Sequence, residues 1–198
     1  MNETNSKSSM EIDDKTAEKL KKSIVALSVD LIKESDRAIV IISGSRIDYI
    51  LKEILSKFML PSTSSGQDEL LEGENGSLGT FSSRIKACYR LKLIDSSMVT
   101  VLNNIRKMRN VFAHDISIHS IEHSPLRDYV RNITSIMGNN LHVKSLKDNY
   151  AKNKEHYSGD YLACAMWTIV TLELVYENVI PVQNNNLEIY KKLNWPLE

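Results

Sequence analysis

The chain is short of the residues that interrupt helices. It has only 7 Gly and 4 Pro in 198 residues. Because these two residue types mark most turns, their scarcity favours long helices joined by few loops over many short strands. No alternating pattern of apolar and polar residues persists along the chain. We therefore predict an all-α fold, a single-domain helical bundle.

An excess of charge of either sign is also absent. Lys and Arg number 25, and Asp and Glu number 25. Domains that bind nucleic acid strongly and without sequence preference usually have a basic excess. Any nucleic-acid contact in this protein must therefore come from a local basic patch.

Cysteine and long apolar runs are scarce too. The two cysteines, Cys88 and Cys164, form no CxxC motif, which argues against a disulfide scaffold and fits a reducing compartment. The first fifteen residues contain no apolar signal core. The uncharged run 161–172 is too short to span a bilayer. We expect a cytoplasmic protein that makes no membrane contact.

Apolar periodicity and capping residues divide the chain into helices. We predict a disordered tail over 1–14, a bundle over 15–180 and a C-terminal tail over 181–198. Helix starts are predicted at Ser35–Asp36, at Asp95 or Ser96, and at Ser124 with Pro125 in the first helical position. The apolar segment 160–180 predicts either a central helix or a helix in a dimer interface.

Two other stretches favour particular contacts. Ser43, Gly44 and Ser45 lie in the middle of the second predicted helix, where small residues allow another helix to approach closely. The segment 61–80 is a long loop, and loops of this length are usually functional or mobile. Its acidic residues are Asp68, Glu69, Glu72 and Glu74.

Positive charge concentrates on one predicted helical hairpin. Its basic residues are Arg84, Lys86, Arg90, Lys92, Arg106, Lys107 and Arg109, and only Asp95 opposes them. Three interpretations stay open: contact with an RNA or DNA backbone, an internal contact with the acidic loop, or a solvated basic face. For the first, we assign Arg84 and Arg106 as supporting residues.

The segment "IRKMRNVFAHD", residues 105–115, combines a buried stripe with polar residues that packing does not require. Arg106, Asn110 and His114 stand four residues apart on one helix face, and Arg109 lies at its border. A histidine exchanges protons near neutral pH, and an arginine clamps a phosphate. These groups are the minimum for metal-free RNA cleavage, and a symmetric dimer would supply a second histidine. Basic residues also end many helices because they interact favourably with the helix dipole.

Three motifs resemble the mannitol operon repressor family. They are the "ESDR" helix start within 34–55, the "GSLGTFSSRI" turn, and the "IRKMRNVFAH" helix end within 75–115. The resemblance covers roughly residues 30–115. It implies a regulatory protein.

The same helix end resembles the Arg-x4-6-His signature of the HEPN superfamily of helical proteins. That resemblance implies a HEPN-like bundle and a dimeric, metal-independent endoribonuclease of toxin or antiphage type. It makes Arg109 and His114 catalytic, with Asn110 in support. Glu34 or Asp36 would be the acidic or polar partner from a neighbouring helix. No metal or other cofactor is expected, and an antitoxin or regulatory protein is a further expected partner.

The sequence also bears on DNA binding, on zinc binding and on a non-catalytic function. The hairpin over 82–107 has the order of a helix-turn-helix, but the wide apolar stripe of its second helix predicts burial, whereas a recognition helix exposes its first residues to base edges. His114, His119 and His123 lie within ten residues, yet the last two fall in a loop of undefined shape, which disfavours a zinc site. The alternative to the ribonuclease is a non-catalytic transcriptional regulator that acts through protein partners.

Overall fold

The structure is a computed structural model that describes residues 14–62, 66, 68–72 and 76–182. Those residues form seven α-helices and a π-helical turn, and they contain no strand. The predicted all-α helical bundle is thereby confirmed. The elements are α1 (Asp14–Ile32), α2 (Asp36–Phe58), α3 (Phe81–Arg90), α4 (Ser96–His114), α5 (Leu126–Met137), α6 (Leu141–Leu146), the π-helical turn (Lys147–Ala151) and α7 (His156–Asn178). Nearly all of both predicted tails lies outside the described residues.

Capping side chains fix where the helices begin. The Ser35 side chain accepts a hydrogen bond from the Ala38 backbone N–H at 3.3 Å, and Asp95 accepts from the Met98 N–H at 2.7 Å. Each satisfies a backbone donor that has no partner within the helix. The predicted starts of α2 and α4 are therefore confirmed.

The predicted cap at Ser124 is wrong. Helix α5 begins at Leu126, and no side chain caps it. The Ser124 hydroxyl instead donates to a carboxylate oxygen of Asp128 at 2.9 Å. Pro125 therefore precedes the helix and does not occupy its first turn.

Helix α7 is the centre of the bundle. It packs against α1, α2, α5, α6 and the π-helical turn. Between Tyr161 and Leu172 every residue is buried except Trp167 and Thr171, which are half-buried. The Tyr161 hydroxyl lies 2.9 Å from that of Ser43 on α2. Of the two interpretations of this apolar segment, the central helix is confirmed, and most of its surface is unavailable to a second copy.

Helices α3 and α4 form a hairpin that covers one side of α2. The inner face of α4 is buried and consists of Val101, Leu102, Ile105, Met108 and Phe112. Because this stripe is in the core, α4 cannot enter a DNA groove as a recognition helix without leaving the bundle. The polar residues of "IRKMRNVFAHD" are thus fixed at the edge of a packed helix.

Candidate functional site at the crossing of α2 and α4

Arg109 packs on α2 at a position where there is no side chain. A Cβ atom built on Gly44 would lie 3.1 Å from the Cδ and 3.4 Å from the Cβ of Arg109. The bare backbone of Gly44 therefore accommodates the aliphatic part of the Arg109 side chain. The close approach predicted for Gly44 is confirmed, and it restricts where the guanidinium can lie.

Asp48, on α2, lies between two arginines from the hairpin. Its Oδ1 accepts a hydrogen bond from Arg84 Nη1 at 2.8 Å, whereas its Oδ2 is 4.0 Å from Arg109 Nη1. Arg84 is buried and also donates to the carbonyls of Leu78 and Leu71, at 3.0 and 2.9 Å. The Arg109 side chain is 33 % exposed. Arg84 is therefore a structural residue, and Arg109 keeps most of its donors for another ligand.

The acidic loop contacts the hairpin through its backbone. Arg84 reaches the Leu71 and Leu78 carbonyls, while the Glu72 carboxylate pairs with Lys52 of α2. Asp68 caps the turn that follows it by accepting from two backbone N–H groups. In the described part of this loop, no carboxylate forms an ion pair with the hairpin, and Glu74 lies outside the described residues.

Asn110 and His114 face solvent on successive turns of α4. Within the residues that the structure describes, neither side chain makes a hydrogen bond or an ion pair. Asn110 directly follows Arg109 and His114 is five residues after it, and both are on the outer side of the helix whose inner side is buried. Two polar side chains without partners thus accompany a half-exposed cation.

Asp36 fixes the chain that follows His114. Its carboxylate accepts a hydrogen bond from the Ile121 N–H at 2.8 Å. Asp36 therefore binds the loop that follows α4. The Glu34 side chain is exposed, and the contacts of this residue are made by its backbone: the carbonyl accepts from Lys154 Nζ at 2.6 Å and the N–H donates to the Leu31 carbonyl at 3.2 Å. Neither acidic side chain contacts Arg109 or His114.

Arg37 is a further residue of this region that was not predicted from the sequence. Its guanidinium donates to the carbonyls of Phe112, of Asp115 at 2.8 Å and of Ile118 at 2.7 Å. It also lies over the Phe112 ring, 5.3 Å from the centroid. These carbonyls include one that the end of α4 leaves without an intrahelical partner. The "ESDR" motif contained the signal, because Arg37 is the only basic residue at the start of α2.

Asp48 was overlooked as well. It is the only acidic residue between Asp36 and Glu53, and it lies beside the buried residues Ile47 and Leu51 of the helix. An isolated carboxylate in such a helix predicts a cationic partner from another element. The hairpin supplies two, Arg84 and Arg109.

Other cations of the hairpin are not neutralised. In the described part of the chain, no ion pair is formed by Lys86, Arg90, Lys92, Arg106 or Lys107. Arg106 is half-buried, and its Nε has no hydrogen-bond acceptor. Lys107 lies over the Tyr129 ring at 5.6 Å. A chain of zero net charge thus presents unpaired positive charges along the α3–α4 hairpin.

Cysteine chemistry does not contribute to the site. Burial raises the pKa of the Cys88 and Cys164 thiols to about 12. Both are therefore protonated at neutral pH and closed to solvent, whereas a nucleophilic cysteine must be a thiolate.

Metal ligands are not clustered in the described residues, where no three His, Cys, Asp or Glu side chains converge. His114, His119 and His123 are each exposed and form no such group. Among the described helices, none has the length and apolar character needed to cross a bilayer.

Comparison of the chain with protein-family models, with curated proteins and with solved structures gave no match. The arrangement of α2 and α4 must therefore be interpreted from its own chemistry.

Proposed function

We propose that the protein is a metal-independent endoribonuclease that acts as a homodimer in the cytoplasm. One observation is central to the proposal. Arg109 is held on Gly44, its nearest carboxylate is already bound to Arg84, and the exposed side chains of Asn110 and His114, one and five residues further along α4, have no partner in the described chain. The resemblance of residues 109–114 to the HEPN signature supports the same function.

Each side chain has a role in the proposed reaction. The RNA 2′-hydroxyl attacks the adjacent phosphorus, the bond to the 5′-oxygen breaks, and the products end in a 2′,3′-cyclic phosphate and a 5′-hydroxyl. His114 accepts the 2′-hydroxyl proton or donates one to the leaving oxygen. Arg109 stabilises the charge that builds up on the phosphorane oxygens. Asn110 hydrogen-bonds a non-bridging oxygen or the ribose.

A second copy would supply the other proton-transfer group. One histidine cannot serve both as base and as acid in the same step, but two symmetry-related histidines in a shared cleft can. Ile42, Ser45 and Tyr49 recur at three- and four-residue steps on the exposed face of α2, and Ile42 and Tyr49 are 44 % and 50 % exposed. This exposed α2 stripe is the apolar surface that we assign to the dimer.

The unpaired cations of the hairpin would bind the RNA backbone. In the described part of the chain, Lys86 and Arg106 have no carboxylate to neutralise them, so phosphates are suitable counter-charges. Because the rest of the chain contributes no basic excess, binding depends on this hairpin and weakens with salt.

The decisive experiment compares two histidines. Purified protein, the His114→Ala variant and the His119→Ala variant are incubated with mixed-sequence RNA in EDTA, and the new ends are identified. The unsubstituted protein and His119→Ala should give cyclic phosphate ends, and His114→Ala should be slower by about 10²- to 10⁴-fold. Equal cleavage by all three proteins, or no cleavage by any of them, would contradict the proposed ribonuclease activity.

A second candidate function is a non-catalytic transcriptional regulator, as the mannitol operon repressor resemblance implies. The exposed α2 stripe favours it too, because a regulatory protein or an antitoxin could dock there in place of a second copy. This alternative expects His114→Ala to leave regulation of a target operon intact. Loss of regulation by a folded His114→Ala protein would exclude it.

A further inference from the structure

An apolar cavity of about 720 Å³ lies between the α3–α4 turn and the last third of α7. Its apolar and neutral lining consists of Tyr89, Leu93, Ile94, Met98, Thr171 and Val175. The turn that forms one wall is closed by hydrogen bonds from the Lys92 N–H to the Tyr89 carbonyl, at 3.0 Å, and from the Leu93 N–H to the Cys88 carbonyl, at 2.9 Å. The cavity is therefore preformed, and its size is that of a site for apolar groups.

The described chain ends within reach of this cavity. Lys57, at the end of α2, donates to the Tyr176 carbonyl at 2.6 Å, and the Val182 N–H donates to the Phe58 carbonyl at 2.7 Å. The chain thus leaves α7 at the end of the bundle where Thr171 and Val175 line the cavity. Val182 is seven positions after Val175, so their Cα atoms are at most about 23 Å apart.

Residues 183–198 contain apolar side chains that could fill such a cavity. Their apolar side chains are Leu187, Ile189, Tyr190, Leu193, Trp195 and Leu197. Leu187, Tyr190 and Leu193 recur every three residues, a spacing that gathers side chains on one side of a helical segment. Sixteen residues extend to about 50 Å, so the segment is long enough to reach the cavity from Val182.

The charged residues at the rim of the cavity are complementary to those of residues 183–198. Arg90, Lys92 and Asp95 line the cavity together with the apolar residues. Both signs are therefore present, as they are in the segment, where Glu188 precedes Lys191 and Lys192. A purely apolar or a purely anionic ligand would leave one of the rim charges without a partner.

We propose that residues 187–195 of the same chain dock in the cavity between the α3–α4 turn and α7. The segment would cover the ring of Tyr89, a residue that is 46 % exposed, and would place its own charges beside Arg90 and Lys92. This inference does not depend on the proposed ribonuclease, since the cavity is at the opposite end of α4 from His114.

Trp195 provides the test. In a Trp167→Phe chain it is the only tryptophan. Its emission should be blue-shifted, and its quenching by acrylamide weaker, relative to a free peptide of residues 183–198. Tyr89→Glu, which puts a charge on the cavity wall, should abolish both differences. The control Ile116→Glu adds the same charge at an 84 % exposed residue beyond the other end of α4, a helix about 27 Å long, and should leave both differences intact.

Several outcomes would overturn the proposal. They are peptide-like emission and quenching in the parent chain, an equal effect of the two charged substitutions, or loss of the protection on dilution, which would place the segment on a second copy. A second measurement keeps Trp167, because the Trp167 ring stacks on that of His142 with the centroids 4.3 Å apart, and Trp167→Phe changes this contact. In the otherwise unchanged full chain, Trp195→Glu should speed hydrogen exchange in residues 89–98, and unchanged exchange there contradicts docking.

Discussion

Arg84 and Arg109 approach the same carboxylate of Asp48 but are used differently. Arg84 is buried and has three acceptors within 3.0 Å, whereas Arg109 is one-third exposed and has a single carboxylate at 4.0 Å. The first arginine is fully occupied in joining α2, α3 and the loop before α3. The second is positioned but hardly occupied. The number of donors left over thus separates a structural arginine from one that can bind a ligand.

The start of α2 and the end of α4 differ in the same way, because the polar side chains of one are bound and those of the other are not. At the start of α2, Asp36 and Arg37 are bound to backbone groups of the segment that follows α4. At the end of α4, Asn110 and His114 are bound to nothing in the described chain. One end fixes the geometry, and the other is free to act on a substrate.

Arg84→Ala tests the structural side of the comparison and has the largest expected effect. Removing one member of a buried ion pair leaves Asp48 and two carbonyls without their partner. The free energy of unfolding should fall by about 3–5 kcal/mol in urea denaturation. Arg90→Ala, an exposed arginine on the same helix, should change it by no more than about 0.5 kcal/mol. Equal effects of the two substitutions would refute the distinction.

Arg109→Ala should show the opposite profile. Cleavage of RNA should slow by about 10²- to 10³-fold, because a donor to the transition state is lost. The free energy of unfolding should change by no more than about 1 kcal/mol, since the Asp48 contact is long and partly exposed. Single-turnover rates and urea denaturation measure the two quantities. Strong destabilisation with unchanged cleavage would assign Arg109 to the structural class.

Gly44→Ala sharpens the comparison by moving Arg109 without removing it. The new Cβ would meet Arg109 Cδ at 3.1 Å, so that flexible side chain must shift by a few tenths of an ångström. Cleavage should slow by roughly tenfold, because small misplacements of catalytic groups are costly. Stability should stay level or rise by up to about 1 kcal/mol, because alanine favours the helix. In an Arg109→Ala background the substitution should no longer affect cleavage; a persistent loss would show that Gly44 acts by another route.

The smallest expected effect concerns the unpaired surface cations. Lys86→Gln should reduce the salt dependence of RNA binding by about 0.7 in the log–log slope if the side chain contacts one phosphate of a single strand. The matched control is Lys152→Gln, an exposed lysine outside the hairpin, which should leave the slope unchanged. Fluorescence anisotropy with labelled RNA over a salt series gives both slopes. Identical slopes for both variants and the parent chain would remove Lys86 from the RNA surface.

Local patterns predicted most of the helices. The apolar stripe of α4, the caps at Ser35 and Asp95 and the role of Gly44 depend on neighbours within a few residues or on side-chain size. The Arg84–Asp48 pair and the Arg37 contacts span 36 to 81 residues, and no local pattern reports which distant groups meet. Helix α7 shows where prediction from local sequence stops. Its composition predicts burial, but only the packed bundle distinguishes a central helix from one in a dimer interface.

The Arg37 contacts have a consequence for the order in which the protein folds. They join the first turn of α2 to carbonyls 75, 78 and 81 residues further along the chain. Closing a loop of that length costs conformational entropy, whereas forming a local helix closes no long loop. Contacts between such distant residues therefore form slowly. During synthesis, α2 emerges long before its partner carbonyls. We therefore expect the end of α4 to reach its final geometry only after Ile118 has left the ribosome, so the surface around Asn110 and His114 is completed late in synthesis.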